Sequence, residues 1–429
     1  MTDSGSYSRS QAASIPFFTA AMFLVGMQMA ETGAALDHMA RSLSLDSSEQ
    51  GLLVSLRFVG GLVVGLFLWA GHARVRFSGA LAVALGLVVL SGPLLFVESY
   101  AAALAIAGLR GLAMGTVIPL SGMFSAAQEM KPTGQVAAGV NAALSAGMVV
   151  LSLVATVFAA TIGVGWQAYW AAASIMALLM LILLPFVAFP PVPERAEDRP
   201  REHGMSSSAA RGGEVPDGGV PAGKPGGGRG RGRCGRLRGI IVYLTQLTQG
   251  TTWSFAAAGL LLVGSEAVLL GLIPALTVRV AGGRFGGELL ALLLMTGVLI
   301  GRVAGTVLFK RFTTMQVVTV SAVTVVVAAL IWGLVSPLAP AMLVMLGVAT
   351  GNLFPGMIAH ISHARPSEAS ATIASIGWTG GLGGTVVPAL AGAALGSGVP
   401  PRWVSLFVIV PTLGAYLLAR RGGAAPSST

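Results

Sequence analysis

Two carboxylates and three guanidiniums interrupt stretches that are otherwise almost wholly apolar. Glu31 stands in FLVGMQMAETGAAL, Glu266 in LLVGSEAVLLGL, Arg57 in GLLVSLRFVGG, Arg110 in IAGLRGLAMG and Arg302 in TGVLIGRVAGTV. An ionisable side chain in hydrocarbon is costly, so it is kept where it faces a bundle interior or a water-filled path, close to a partner. A carboxylate so placed is suited to taking up and releasing a proton or to holding a polar ligand. Gln28 lies three residues before Glu31 and shares its helix face, which makes a short polar stripe. An arginine near the end of an apolar segment can hold loop carbonyls or an acid in one conformational state. Arg110 and Arg302 are therefore candidates for gating, Arg302 above all, and Arg57 is a third such cation without an assigned role. The amides of Asn141 and Asn352 and the indole of Trp378 are candidates for ligand contact. For the amides the alternative is hydrogen bonding between helices, and for Trp378 it is packing. His360 fits helix-to-helix bonding better than ligand binding.

Such residues need long apolar elements to carry them, and the composition supplies these. The chain is 54% hydrophobic and 10% charged, with a mean hydropathy of +0.81, whereas soluble domains have about a quarter of their residues charged. An all-α polytopic membrane protein is expected. A spanning helix takes about 20 apolar residues, and twelve segments qualify. Six lie near 15–36, 50–71, 78–97, 101–123, 136–160 and 166–189, and six near 252–278, 287–309, 315–335, 339–361, 370–395 and 402–420. Residues 239–250 fit neither group and are placed at the membrane surface.

Loop charges set the orientation. With the loop between the two sets inside, inner loops hold His72, Arg74, Arg76, Lys131, Lys310, Arg311, Arg365, Arg420 and Arg421. Outer loops mix Asp46, Glu49, Glu98 and Glu288 with Arg41, Arg279, Arg284 and Arg402. The bias places both termini in the cytoplasm of a cell whose inner or plasma membrane holds the protein. The first residues lack a signal peptide's basic start and small-residue cleavage site, so the first span is expected to stay.

Three domains follow: residues 1–189 and 239–429 as six-helix bundles, and 190–238 as the link between them. The link has ten Lys or Arg against six Asp or Glu, and its Gly, Pro and Ser content predicts a disordered basic tether. Most of the net charge of +10 is there and in short loops, which removes the case for nucleic-acid binding and leaves anionic lipid as a possible partner of the tether. The two apolar sets are related in sequence. Gly61-Leu-Val-Val-Gly65 aligns with Gly301-Arg-Val-Ala-Gly305 at an offset of 240, and Gly115-Thr-Val-Ile-Pro119 with Gly351-Asn-Leu-Phe-Pro355 at 236. Residues 139–149 align with 377–387 at 238. Agreement of three short matches on nearly one offset identifies a repeat. Gly139, Ala143 and Gly147, and likewise Gly377, Gly381 and Thr385, recur every four residues, so each trio shares a face on which backbones can approach closely.

Enzyme signatures are missing. The sequence holds no GxxxxGK[ST] loop, no HExxH and a single cysteine, Cys234, so neither an enzyme, a metal site nor a cofactor is expected.

The residues resemble the major facilitator superfamily. Leu109-Arg-Gly-Leu-Ala-Met-Gly115 is similar to its arginine-glycine signature in the fourth span, and Gly71-His-Ala-Arg-Val-Arg76 to a degenerate form of its loop 2–3 motif, without the usual acid. The second set resembles the fucose-permease-like sugar symporters in LLVGSEAV (261–268), IGRVAGTV (300–307), NLFP (352–355) and GGTVVPALAG (383–392). The resemblance implies twelve helices in two pseudo-symmetric six-helix bundles and a monomer. It further implies proton-coupled uptake of a sugar or similar small polar solute through a cavity lined by spans 1, 4, 7 and 10. Glu31 approximates the family's coupling acid of span 1, displaced by about two residues. The acid expected in span 4 is absent, with Ile118 in that neighbourhood. Export of amphipathic small molecules fits the apolar spans, and a non-transporting membrane scaffold or sensor fits the basic tether.

Overall fold

The computed structural model describes residues 4–71, 76–127, 133–161, 165–189, 250–364 and 369–423. The tether, and residues 239–249 of the segment placed at the surface, lie outside these. The first set of helices is α1 (Ser4–Ser42), α2 (Ser47–Gly71), α3 (Phe77–Ser91), α4 (Tyr100–Ala127), α5 (Thr133–Thr161) and α6 (Trp166–Leu183). The second is α7 (Gly250–Gly271), α8 (Ile273–Val280), α9 (Gly287–Arg311), α10 (Thr314–Leu334), α11 (Ala339–Ala364), α12 (Ala369–Gly396) and α13 (Leu406–Gly423). Eleven helices among the described residues are long and apolar enough to cross a membrane. The remaining expected span, α2, is a helix of 25 residues whose side chains are described through Val64.

Polar residues between spans serve to start helices. Asp46 and Glu49 cap one another before α2, the Glu49 amide donating to Asp46 Oδ1 at 2.8 Å and the Asp46 amide to Glu49 Oε2 at 2.9 Å. Thr313 and Gln316 form the same reciprocal box before α10, satisfying amides that a helix start leaves without partners. The seventh span is interrupted at Leu272, and Pro274 opens α8. Proline has no N–H to give to the carbonyl four residues earlier. That carbonyl, of Leu270, lies against Gly33 of α1, so close that a Cβ at position 33 would overlap it.

The two sets of helices pack by one rule. In the first, α1 lies on α5, α2 on α4, and α3 on both α4 and α6; in the second, α7 lies on α12, α9 on α11, and α10 on both α11 and α13. Small residues make the closest approaches. A Cβ on Gly26 would overlap the Leu144 carbonyl, one on Gly111 the Arg57 carbonyl, one on Gly301 the Val348 carbonyl and one on Gly383 the Leu260 carbonyl. With no hydrophobic drive between helices in lipid, such backbone contact supplies the van der Waals attraction that holds them together. The repeat seen in the sequence is thus a repeat of helix pairs. The four-residue trios divide in their roles: Gly147 meets Phe23 of α1, Gly381 meets Leu62 of α2, and Gly377 faces open space.

Apolar side chains left outside complete the picture. Ile175, Leu179 and Ile182 of α6, Val320, Val323 and Val327 of α10, and Val410, Leu413 and Leu417 of α13 are all exposed. They fall at helical spacing on the outer helices, forming stripes that suit lipid. The second set meets the first along α2 and α12, with Gly51 against Gly392, Phe58 against Gly384 and Leu62 against Gly381. It meets it again along α5 and α9 and between α1 and the α7–α8 pair.

Candidate functional site

The polar centre lies on α1. Glu31 is fully buried, and its two carboxylate oxygens are taken by two different arginines: Oε2 by Arg57 Nη2 at 2.8 Å, and Oε1 by Arg110 Nη1. Arg110 is also fully buried. Its Nε donates to Ser91 Oγ at 3.0 Å, and its Nη2 to the Trp170 carbonyl at 2.7 Å and to Ser174 Oγ at 2.8 Å. Both guanidiniums sit over the indole of Trp170, at 5.9 Å for Arg57 and 5.2 Å for Arg110, where the ring face attracts a cation. The Trp170 Nε1 hydrogen points at the Glu31 carbonyl at 3.4 Å. Five helices of the first bundle, α1, α2, α3, α4 and α6, contribute a group to this cluster.

Arg57 is less completely held. Its Nη1 donates to Thr32 Oγ1, one residue beyond Glu31, while its Nε is buried and has no hydrogen-bond partner. It borders a cavity of about 20 Å³ between the two sets of helices. Thr32, Phe58 and Met114 line it from the first set, and Ala267 and Leu270 from α7.

The second set has a different polar arrangement. Glu266 of α7 is partly buried and is acted on electrostatically by Arg302 of α9, yet the two form no ion pair within 4.0 Å. Arg302 instead reaches out of its own bundle to α5. Its Nη1 donates to Ser145 Oγ at 2.8 Å and points at the Asn141 carbonyl at 3.5 Å. Its Nε is buried without a partner.

The remaining sequence candidates fall around these two centres. Gln28 is buried, and its Oε1 has no partner. Asn352 turns its amide nitrogen back to the Val348 carbonyl of its own helix at 3.2 Å, and its Oδ1 rests against Gly305 without a donor. Trp378 holds its Nε1 buried and unpaired. His360 packs edge-on against Phe255, with centroids 6.2 Å apart. Sequence reasoning singled out Glu31, Arg57 and Arg110 separately; the structure joins them. It did not find Trp170, Ser91, Ser174 or Thr32, although an arginine inside an apolar span always requires acceptors and these lie on neighbouring spans.

Fold and site define a polytopic helical membrane protein with a charged centre between its helices, the construction of a solute transporter. The family model of the Major Facilitator Superfamily matches residues 17–388, and the chain belongs to that superfamily; it is a multi-pass secondary transporter and not an enzyme. No match is found among curated proteins. Among solved structures, the chain is similar to the xylose transporter XylE from E. coli in its inward-open conformation. The two share 16% identity with a TM-score of 0.67, over 96% of this chain and 95% of that one. It is also similar to the nucleoside transporter NupG, at 11% identity and a TM-score of 0.64 over 95% and 97%. The transporter FucP in its outward conformation matches at 12% identity and a TM-score of 0.62 over 96% and 99%. At these identities the likeness is one of fold.

Proposed function

We propose that this transporter carries out proton-coupled uptake of a small polar metabolite, of the sugar or sugar-like class, by alternating access. Residues 1–189 and 239–429 move against one another as two bundles, and the tether and both termini face the cytoplasm. One observation carries the reading: a fully buried carboxylate, Glu31, is clamped by two arginines beside a cavity that both bundles line. Protonating Glu31 neutralises it and frees Arg57 and Arg110 from their shared anion. Proton occupancy is thereby tied to how firmly α1, α2 and α4 are held together. Arg302, which bonds α5 from α9, is a latch between bundles that must release when they separate. The resemblance to sugar and nucleoside carriers supports a hydroxyl-bearing cargo.

Reconstitution tests this directly. Proteoliposomes with an imposed inward proton gradient are expected to accumulate a labelled solute drawn from a sugar and nucleoside panel. Glu31→Gln should equilibrate the solute without accumulating it. Uptake that ignores the gradient in the wild type would remove the proton from the scheme. The mainly apolar walls of the cavity, Phe58, Met114, Ala267 and Leu270, favour a second reading, export of amphipathic molecules. Gradient-driven expulsion of a lipophilic cation dye, with no polar solute moved, would select it.

A further inference from the structure

The charges in the buried centre do not balance. Glu31 brings one negative charge and Arg57 and Arg110 bring two positive ones, all within the first bundle and all at most 3% exposed. An uncompensated buried cation is expensive, and such residues inside a membrane mark ligand paths. Arg110 spends its nitrogens on Glu31, Ser91, Ser174 and the Trp170 carbonyl, which leaves it closed. Arg57 is the open member. Two of its nitrogens are engaged by Thr32 and Glu31, its Nε is buried without a partner, and the residue lines the cavity between the bundles.

Resting on the carrier reading above, we infer that the transported solute bears a single carboxylate, which docks on the Nε side of Arg57. One negative charge brings the centre to neutrality. A guanidinium edge matches a carboxylate in shape and donates charge-assisted hydrogen bonds to it. A neutral hydroxyl would satisfy Nε but leave the positive charge in place. A cavity of about 20 Å³ holds about one water-sized group, so the body of the solute enters as the bundles part. The contacts that close the cavity are adjacent to Arg57 on its own helix: Val54 against Gly271, and Phe58 against Gly384. Separation of α2 from α7 and α12 therefore widens the cavity that Arg57 lines. The apolar walls then meet the solute's carbon frame, and charge selects its end.

The test uses the purified full chain and matched probes that differ in charge: gluconate against glucitol, lactate against propane-1,2-diol, and benzoate against benzyl alcohol. At least one carboxylate should raise Tm while its neutral partner does not. Arg57→Gln should weaken that apparent affinity by roughly tenfold to a hundredfold, as for loss of a hydrogen bond to a charged group. Because Arg57→Gln leaves the cluster rearranged, Ala267→Asp supplies an independent measure by building a carboxylate into the opposite wall. It should melt higher than Ala267→Asn and should no longer respond to the carboxylate probe. Equal stabilisation by the neutral partner, no response to any carboxylate, or Ala267→Asp melting below Ala267→Asn would each overturn the inference. Counterflow in proteoliposomes separates the two claims. Movement of a neutral solute alone leaves the carrier standing and removes the carboxylate, whereas carboxylate binding without movement of any solute removes the carrier reading.

Discussion

The acids of α1 and α7 occupy similar places in two bundles that pack by the same helix pairs, and they are treated in opposite ways. Glu31 is saturated: each carboxylate oxygen meets an arginine, both arginines sit on one indole, and both ion pairs stay within the bundle. Glu266 feels Arg302 across a gap wider than an ion pair, and that arginine is engaged with Ser145 of the other bundle. Backbone packing has been kept through the repeat while the polar groups have diverged. The first bundle holds a charged anchor closed within itself, and the second holds a cation whose bond reaches the other bundle. Symmetric structure thus yields asymmetric duty.

Removing the anchor is the most severe way to break that contrast. Glu31→Ala leaves Arg57 and Arg110 facing each other in a dry interior, and breaking a buried pair costs about 3–5 kcal/mol. Denaturant titration in micelles should show most of the first bundle's stability lost, and Glu31→Gln should be milder because its amide oxygen still accepts one hydrogen bond. If Glu31→Ala unfolds at the wild-type midpoint, the cluster is not what holds α1, α2 and α4 together.

Backbone contact comes next in size. Gly383 lies against the Leu260 carbonyl, whereas Gly377, earlier on the same helix, faces open space. Gly383→Ala should cost about 1–3 kcal/mol through overpacking. Gly377→Ala should be neutral or stabilising by up to about 1 kcal/mol, as alanine replaces glycine within a helix. Equal Tm values for the two variants would show that α7 and α12 are not in backbone contact.

These two effects also mark how much was readable from sequence. Apolar length gave the helices, because one run of about 20 residues is sufficient evidence for a span. The Gly repeats marked faces suited to close helix packing, because close approach leaves small residues at regular spacing. The period of four, however, says which residues share a face and not which neighbour that face meets. It therefore grouped Gly377 with Gly381, though only Gly381 touches another helix. Buried charges were visible one at a time. Their pairing was not, since Glu31, Arg57, Arg110 and Trp170 come from four helices and no local pattern links them. Arg110 turns inward to Glu31 of its own bundle, while Arg302 reaches across to Ser145 of the other, a difference in direction that neither residue's flanking sequence contains.

A smaller effect is expected at the latch. Ser145→Ala removes the 2.8 Å acceptor for Arg302 without burying a new group. A hydrogen bond to a charged partner is worth about 1.5–3 kcal/mol, and part returns if water or the Asn141 carbonyl takes its place. About 1 kcal/mol should remain, shifting the population toward separated α5 and α9 by roughly fivefold. Spin-label distances between these helices should lengthen in the variant, and an unchanged distribution would show that the bond does not bias the two states.

The finest test falls on Glu266 itself. With no ion pair within reach, Glu266→Gln keeps shape and hydrogen-bonding capacity while removing a charge that only Arg302 senses strongly. The stability change should be small beside that of Glu31→Ala, because no ion pair is broken. What should change is Arg302. Freed from an anion on its own bundle, it is held more by Ser145, so the closed pairing of α5 and α9 should gain population and turnover should slow without loss of solute affinity. Combining Glu266→Gln with Ser145→Ala sharpens the comparison, because residues sharing a partner do not add. If the double variant shows the sum of the two single effects on the spin-label distances, Arg302 does not arbitrate between the two bundles and Glu266 has no part in the latch.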